Sequence, residues 1–182
     1  PKERITKEIA ECIYTGIVHD TGVFQYSCTS RKTMEAASCL MERGINFTKI
    51  IDETYYAKTF EQNRILGLAL LKAKLYADGR IISSVITKRE MDDYQVLPKH
   101  LDGIVNQLRI TKGVEAAVFL YETERAEYKV SMRSVSFVDV ARIAVAFGGG
   151  GHVRAAGYSM TGESDAIIEQ AVREIEQQIM KQ

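Results

Sequence analysis

Ala126-Glu127-Tyr128-Lys129-Val130-Ser131-Met132-Arg133 is the stretch on which the fold turns. Ala126, Tyr128, Val130 and Met132 alternate with Glu127, Lys129, Ser131 and Arg133, the two-residue period of a strand with one buried and one wet face. Upstream, Val114 to Tyr121 is almost continuously apolar, as a strand buried on both faces requires, and Glu122 to Arg125 would join the two as a hairpin. Arg80 to Thr87, rich in β-branched residues and preceded by the turn pair Asp78-Gly79, reads as another strand. Downstream, Ser136 and Asp139 open a helix carrying Val140, Ala141, Ala144 and Val145, which stops at Phe147 and the run Gly148 to Gly151. A last amphipathic helix carries Ile168, Ala171, Val172, Ile175 and Ile179.

The N-terminal part has a helical period instead. Ile5, Ile9, Cys12, Ile13 and Ile17 recur at near-helical spacing up to His19-Asp20-Thr21-Gly22. Phe24, Tyr26 and Cys28 then read as an extended piece, Ser30 caps a helix that Gly44 ends, and Cys28 and Cys39 read as packed thiols. Thr59 and Gln62 form a capping-box start for a helix reaching about Ala77, apolar almost all round from Ile65 to Leu71, as a connector between two packed units would be. The expected class is α/β. Its parts are a helical segment over 1–58, a connecting helix over 59–77, and a mixed-sheet α/β domain over 78–182. The first segment has no sheet of its own and reads as the tail of a larger domain, a reading consistent with a chain that begins at Pro1.

Composition narrows the function. The 182 residues are 46% hydrophobic and 26% charged, which excludes a disordered or collagen-like chain. Lys+Arg 24 against Asp+Glu 24 excludes a protein that coats duplex DNA through global charge, so any polyanion must be gripped locally. Cys12, Cys28 and Cys39 stand in no CxxC spacing, and no apolar run approaches the ~20 residues of a membrane span. A reduced, cytoplasmic setting is therefore expected, with no membrane partner.

Three features can carry chemistry. In Gly148-Gly149-Gly150-Gly151-His152-Val153-Arg154, successive glycine amides suit an anion nest that a following helix start would reinforce, with His152 and Arg154 as donors at its mouth. The plainer alternative is a helix stop and a solvated loop. Arg133, one short helix upstream, can return beside that run and fork onto a phosphate, or it can be a surface arginine. Asp20, at a tight turn, suits Mg²⁺ or Mn²⁺, although the same letters make an ordinary helix end.

Taken in order, these pieces resemble the DHH family of phosphoesterases with a C-terminal DHH-associated domain, in the bacterial oligoribonuclease (nanoRNase) and 3′-phosphoadenosine-5′-phosphate (pAp) phosphatase branch. Tyr14 to Tyr26 is similar to the last motif of the catalytic domain, and Met132-Arg133-Ser134 and Gly148 to His152 to the two substrate-binding motifs of the associated domain. The resemblance implies a hydrolase that uses two Mn²⁺ ions on short single-stranded RNA or a nucleotide bisphosphate, with room for a homodimer. It implies that Asp20 is a Mn²⁺ ligand and that Arg133, Ser134, Gly149, Gly150, Gly151 and His152, with Arg154 beside them, grip the substrate. The family's earlier motifs, the Asp-His-His among them, are not in this sequence, so the chain is expected to be cut within the catalytic domain and inactive alone. The alternatives are a non-catalytic module binding nucleotides or single-stranded nucleic acid, and a RecJ-type exonuclease. The latter would need stacking aromatics, and the chain has Trp 0.

Overall fold

The computed structural model describes residues 5–26 and 28–181, and the chain divides into two compact units, Pro1–Lys58 and Thr59–Gln182. In the first, helix α1 (Lys7–Thr21) starts where the Thr6 hydroxyl accepts the Ile9 amide. Helix α2 (Arg31–Met41) starts at a reciprocal capping box between Ser30 and Thr33, and α3 (Phe47–Ile51) runs into a π-helical turn, Asp52–Tyr56. Ala10, Tyr14 and Val18 pack with Ala37, Leu40 and Ile45 into a small core. The piece expected to be extended after Gly22 is instead curled. The Val23 amide returns to the Val18 carbonyl (2.8 Å), the Phe24 amide donates to the Thr21 hydroxyl (3.0 Å), and Gly22, Val23 and Phe24 all take left-handed angles. Cys28, expected to be packed, is exposed.

In the second unit, α4 (Phe60–Leu71) begins at the expected Thr59/Gln62 capping box. It ends six residues before Ala77, however, and Lys74–Tyr76 forms strand β1, not helix. Ala77, Asp78 and Gly79, all at positive φ, turn β1 back antiparallel onto β2 (Ile81–Ile86). The apolar α4 buries Ile65 and Ala69 against Ile82 and Ile86 of this sheet, so it serves as one of the unit's own packing layers.

After β2 come α5 (Lys88–Asp93), a 3₁₀ turn (Pro98–Leu101) and α6 (Ile104–Arg109); these carry the chain to β3 (Ala116–Glu124), parallel to β2. His100 caps that turn, its Nδ1 accepting the Leu97 amide at 3.1 Å. Strand β4 (Glu127–Ser134) pairs antiparallel with β3 through Arg125-Ala126 alone, a tighter hairpin than the expected four residues; a register shift between Glu122 and Glu124 absorbs the difference. Helix α7 (Val140–Ala146), β5 (Gly150–His152), β6 (Ala155–Thr161) and α8 (Ser164–Ile179) complete the unit. The six-stranded mixed sheet has the order β1-β2-β3-β4-β6-β5. Val118, Leu120, Tyr128, Val130, Met132, Ala156 and Tyr158 point to the side covered by α7 and α8, while Ile82, Ile86, Ala117 and Phe119 face α4 to α6. Among the described residues no helix is long and apolar enough to cross a membrane.

Candidate functional site

Strand alternation sorts the candidate residues by side. Tyr128, Val130, Met132 and Ser134 are buried, whereas Lys129 is exposed and Ser131 and Arg133 are half-buried on the opposite face. The ladder extends that second face across the sheet. Arg133 pairs with Ala155, which pairs with His152; Ser131 pairs with Gly157, which pairs with Gly150; Lys129 pairs with Ser159. Directly paired residues project to the same side, so three cross-strand rows stand next to one another. One outer row holds Arg133 and His152, and the other holds Lys129 and Ser159. The row between them contains only the Ser131 side chain and two glycines. A groove of about 420 Å³ opens over part of this face, lined by Lys129, Val130, Ser131, Gly157, Tyr158 and Ser159 with Gly148 and Gly149; Gly150, Arg133 and His152 stand beside it. Arg133 donates through Nη1 to the Met132 carbonyl (2.9 Å), and among the described residues no carboxylate forms an ion pair with Lys129.

The glycine run differs from the expected nest. Gly148 takes a left-handed angle (φ 78°), its amide donates to Val145 (3.1 Å) and the Gly149 amide to Ala144 (2.8 Å), so both amides close the C-terminus of α7. The next element is an edge strand, not a helix start, and the nearest helix end is the negative one. Nor do the glycines share one role. A Cβ on Gly149 would run into the Gly157 carbonyl oxygen and the Tyr158 Cβ, and one on Gly151 would lie 2.5 Å from the Ala155 carbonyl oxygen. On Gly150 a Cβ would meet nothing within 4 Å. Gly149 and Gly151 let two strands approach; Gly150 leaves the middle row without a side chain.

Ser134 and Arg154, expected to grip substrate, both bond the Val138 carbonyl, Ser134 from the buried side and Arg154 from an exposed position. The Ser134 hydroxyl, 3% exposed, donates to the Val138 carbonyl (2.6 Å), and Arg154 Nη1 donates to the same oxygen (2.8 Å). Alternation along β4 sends Ser134 to the helix-covered side, and the two-residue turn Val153-Arg154 brings Arg154 to the start of α7. Gly150, His152 and Arg133 are brought together. Ser131, Gly157 and Ser159 were missed by sequence reasoning; a small polar or glycine residue on alternate strand positions is their only signal.

Three successive amides do converge, but elsewhere. Those of Ser136, Phe137 and Val138 all donate to Oε1 of Glu115 (3.1, 2.9 and 3.1 Å), and the Ser136 hydroxyl donates to Oε2 (2.7 Å). Burial opposes the charge on Glu115, but these four donors outweigh it and hold the carboxyl below its ordinary range. Tyr158, buried and stacked on Phe147 at 4.9 Å, has its phenol pushed up to about 12 by burial.

In the first unit, Asp20 lies in the last turn of α1, exposed. His19 beside it is engaged through Nε2 with the Thr54 hydroxyl (3.2 Å) and edge-on with Tyr55. Among the described residues no three of His, Cys, Asp and Glu gather where they could hold a metal ion. Asp20 alone does not amount to a manganese site, which draws on several ligands.

The DHHA1 domain family model matches residues 78–181, the whole sheet beyond β1 with α5 to α8. This chain belongs to the DHHA1 domain family. The bifunctional oligoribonuclease and PAP phosphatase NrnA of Thermus thermophilus is 27% identical over 177 residues, 97% of this chain and 52% of that protein. The A-adding tRNA nucleotidyltransferase of Aquifex aeolicus is 27% identical over 161 residues, 87% of this chain but 19% of that protein. Among solved structures, an exopolyphosphatase-related protein from Bacteroides fragilis superposes with a TM-score of 0.90 at 30% identity, over 97% of this chain and 52% of its own. The DHHA1 chain thus spans about half the length of the NrnA relative it matches. The resemblance to NrnA, a bifunctional oligoribonuclease and PAP phosphatase, agrees with the nanoRNase-type likeness of the sequence motifs.

Proposed function

We propose that this chain supplies the nucleotide-binding part of a manganese-dependent phosphoesterase that hydrolyses short oligoribonucleotides and pAp-like nucleotides. The observation that carries the reading is the three-row face: Arg133 and His152 on one side, Lys129 and Ser159 on the other, and a floor without side chains across Gly157 and Gly150. Arg133 and Lys129 lie four residues apart on one strand, about 13 Å at ~3.3 Å per residue, so cationic groups flank a flat strip of backbone. A phosphate can fork onto Arg133 while the rest of the nucleotide lies over the glycines. A few such donors suffice for a short substrate, which suits a chain of net charge +0.

The proposed ions draw the rest of their ligands from outside this chain, with Asp20 as the carboxylate it contributes. The tRNA nucleotidyltransferase relative favours a second reading, in which the domain binds nucleic acid beside a different catalytic domain. An exonuclease channel is less well supported, since Tyr158, the aromatic residue in the groove's lining, is buried with its ring stacked on Phe147.

Calorimetry with pAp tests the binding reading. The chain should bind, Arg133→Ala should weaken binding about ten-fold, or ~1.4 kcal/mol, and Arg80→Ala should leave it unchanged. Unaltered binding by folded Arg133→Ala and Gly150→Val would sink the assignment. With Mn²⁺ the chain alone should not turn over pAp, and turnover abolished by Asp20→Ala would overturn the claim that further ligands are needed.

A further inference from the structure

Glu115 stands just before β3, 7% exposed, and its own backbone is fixed on both sides: its amide donates to the Arg80 carbonyl (2.7 Å) and its carbonyl accepts from Val135 (2.9 Å). Its side chain crosses to the loop between Arg133-Ser134 and α7 and gathers the amides of Ser136, Phe137 and Val138 on one oxygen. Val138, fully buried, is thereby held from both ends, its amide by Glu115 and its carbonyl by Ser134 and Arg154. One residue on, Gln178 of α8 accepts the Asp139 amide (2.8 Å) and donates to the Asp139 carbonyl (3.1 Å) at the cap of α7. Arg133 lies before this knot; α7 and the glycine hairpin lie after it.

We infer that Glu115 is a positioning residue for the nucleotide site: by anchoring the loop 135–138 it steadies α7 and the glycine run that α7 leads into, beside the β4–β6 ladder that pairs Arg133 with Ala155. Glu115 touches no face of the groove and acts only through that loop. A carboxylate is suited to the task, because one oxygen accepts three amides while the other accepts a hydroxyl. The amide of Gln can do the same, its oxygen accepting and its nitrogen donating to the Ser136 hydroxyl, whereas Asp is one methylene too short to reach.

The test uses the full chain, with amide hydrogen exchange by NMR and pAp affinity measured on wild type, Glu115→Gln, Glu115→Asp and Ser136→Ala. Glu115→Asp should speed exchange at Ser136 to Val138 and across Gly148 to His152 while the β3 amides stay protected, and should weaken pAp binding about ten-fold; Glu115→Gln should stay within about three-fold of wild type. Loss of protection at Ser136 to Val138 with the hairpin and the affinity unchanged would overturn the inference, as would a Gln variant as impaired as Asp. If Glu115→Asp does not fold, the milder Ser136→Ala decides. A three-fold weaker affinity with faster hairpin exchange supports the inference, and no change in either refutes it. The affinity arm rests on the nucleotide reading and the exchange arm does not, so failure of wild type to bind pAp would count against that reading and leave Glu115 to the exchange result.

Discussion

The runs Gly148 to Gly151 and Ser136 to Val138 are opposites. The first has the composition of an anion nest, yet two of its amides close a helix and its last two glycines belong to an edge strand. The second has no glycine, and its three amides converge on a carboxylate that the chain provides for itself. Amides converge when consecutive dihedral angles aim them at one point, and glycine permits such angles without selecting them. The glycines serve steric needs instead, and those needs differ from one position to the next.

Substituting along the glycine run is the strongest way to break this comparison. Gly149→Ala puts a Cβ into the backbone of β6 and should cost about 3 kcal/mol of stability. That lowers Tm by roughly 6–12 °C at ~2–4 °C per kcal/mol, as calorimetry would record. Gly150→Val places its Cβ in open space and should unfold nothing, yet weaken pAp about ten-fold by covering the bare middle row of the proposed face. A Tm loss at Gly150 equal to that at Gly149 would erase the distinction. A smaller effect is expected at the far row: Lys129→Ala should weaken pAp about three-fold, ~0.7 kcal/mol, and less at high salt because the group is exposed. The smallest should appear in acid. The folded-state pKa of Glu115 is lowered, so its contribution is fully present above the ordinary carboxylate range and fades as pH falls through the folded value. Glu115→Gln should flatten that part of the decline in urea-denaturation midpoints below about pH 4, with a lower midpoint but the same pH dependence as wild type above pH 6; an identical acid profile would assign the decline to other carboxylates.

The strands and helices of the second unit were legible because the alternation of Glu127 to Arg133, the apolar run at Val114 and the stripe of Ile168, Ala171, Val172, Ile175 and Ile179 each match one period only. Lys74 to Tyr76 was not, because three residues after an apolar helix carry no period, and their pairing is decided by the turn at Ala77 to Gly79. That the chain returns the glycine run beside Arg133 was readable from the short helix between them; that His152 shares the row of Arg133 through Ala155 came from the ladder. The bonds of Ser134 and Arg154 were not readable, since a polar side chain one position further along β4 points to the other face, and the sequence does not display the Val138 carbonyl that both satisfy. Glu115 was invisible for the same reason: its partners lie 21 to 23 residues away.

The sheet's two rims, β1 and β5, are each three residues long. An exposed edge strand offers unpaired backbone groups to any other chain, and proteins limit that hazard by keeping edges short or poor in β-formers. Here both devices coincide where the proposed nucleotide face meets solvent, because Gly150 and Gly151 are weak strand formers and the rim stops at His152. Gly150, which leaves the middle row bare, also helps make the rim a poor template for strand addition, so the open face carries little risk of intermolecular pairing.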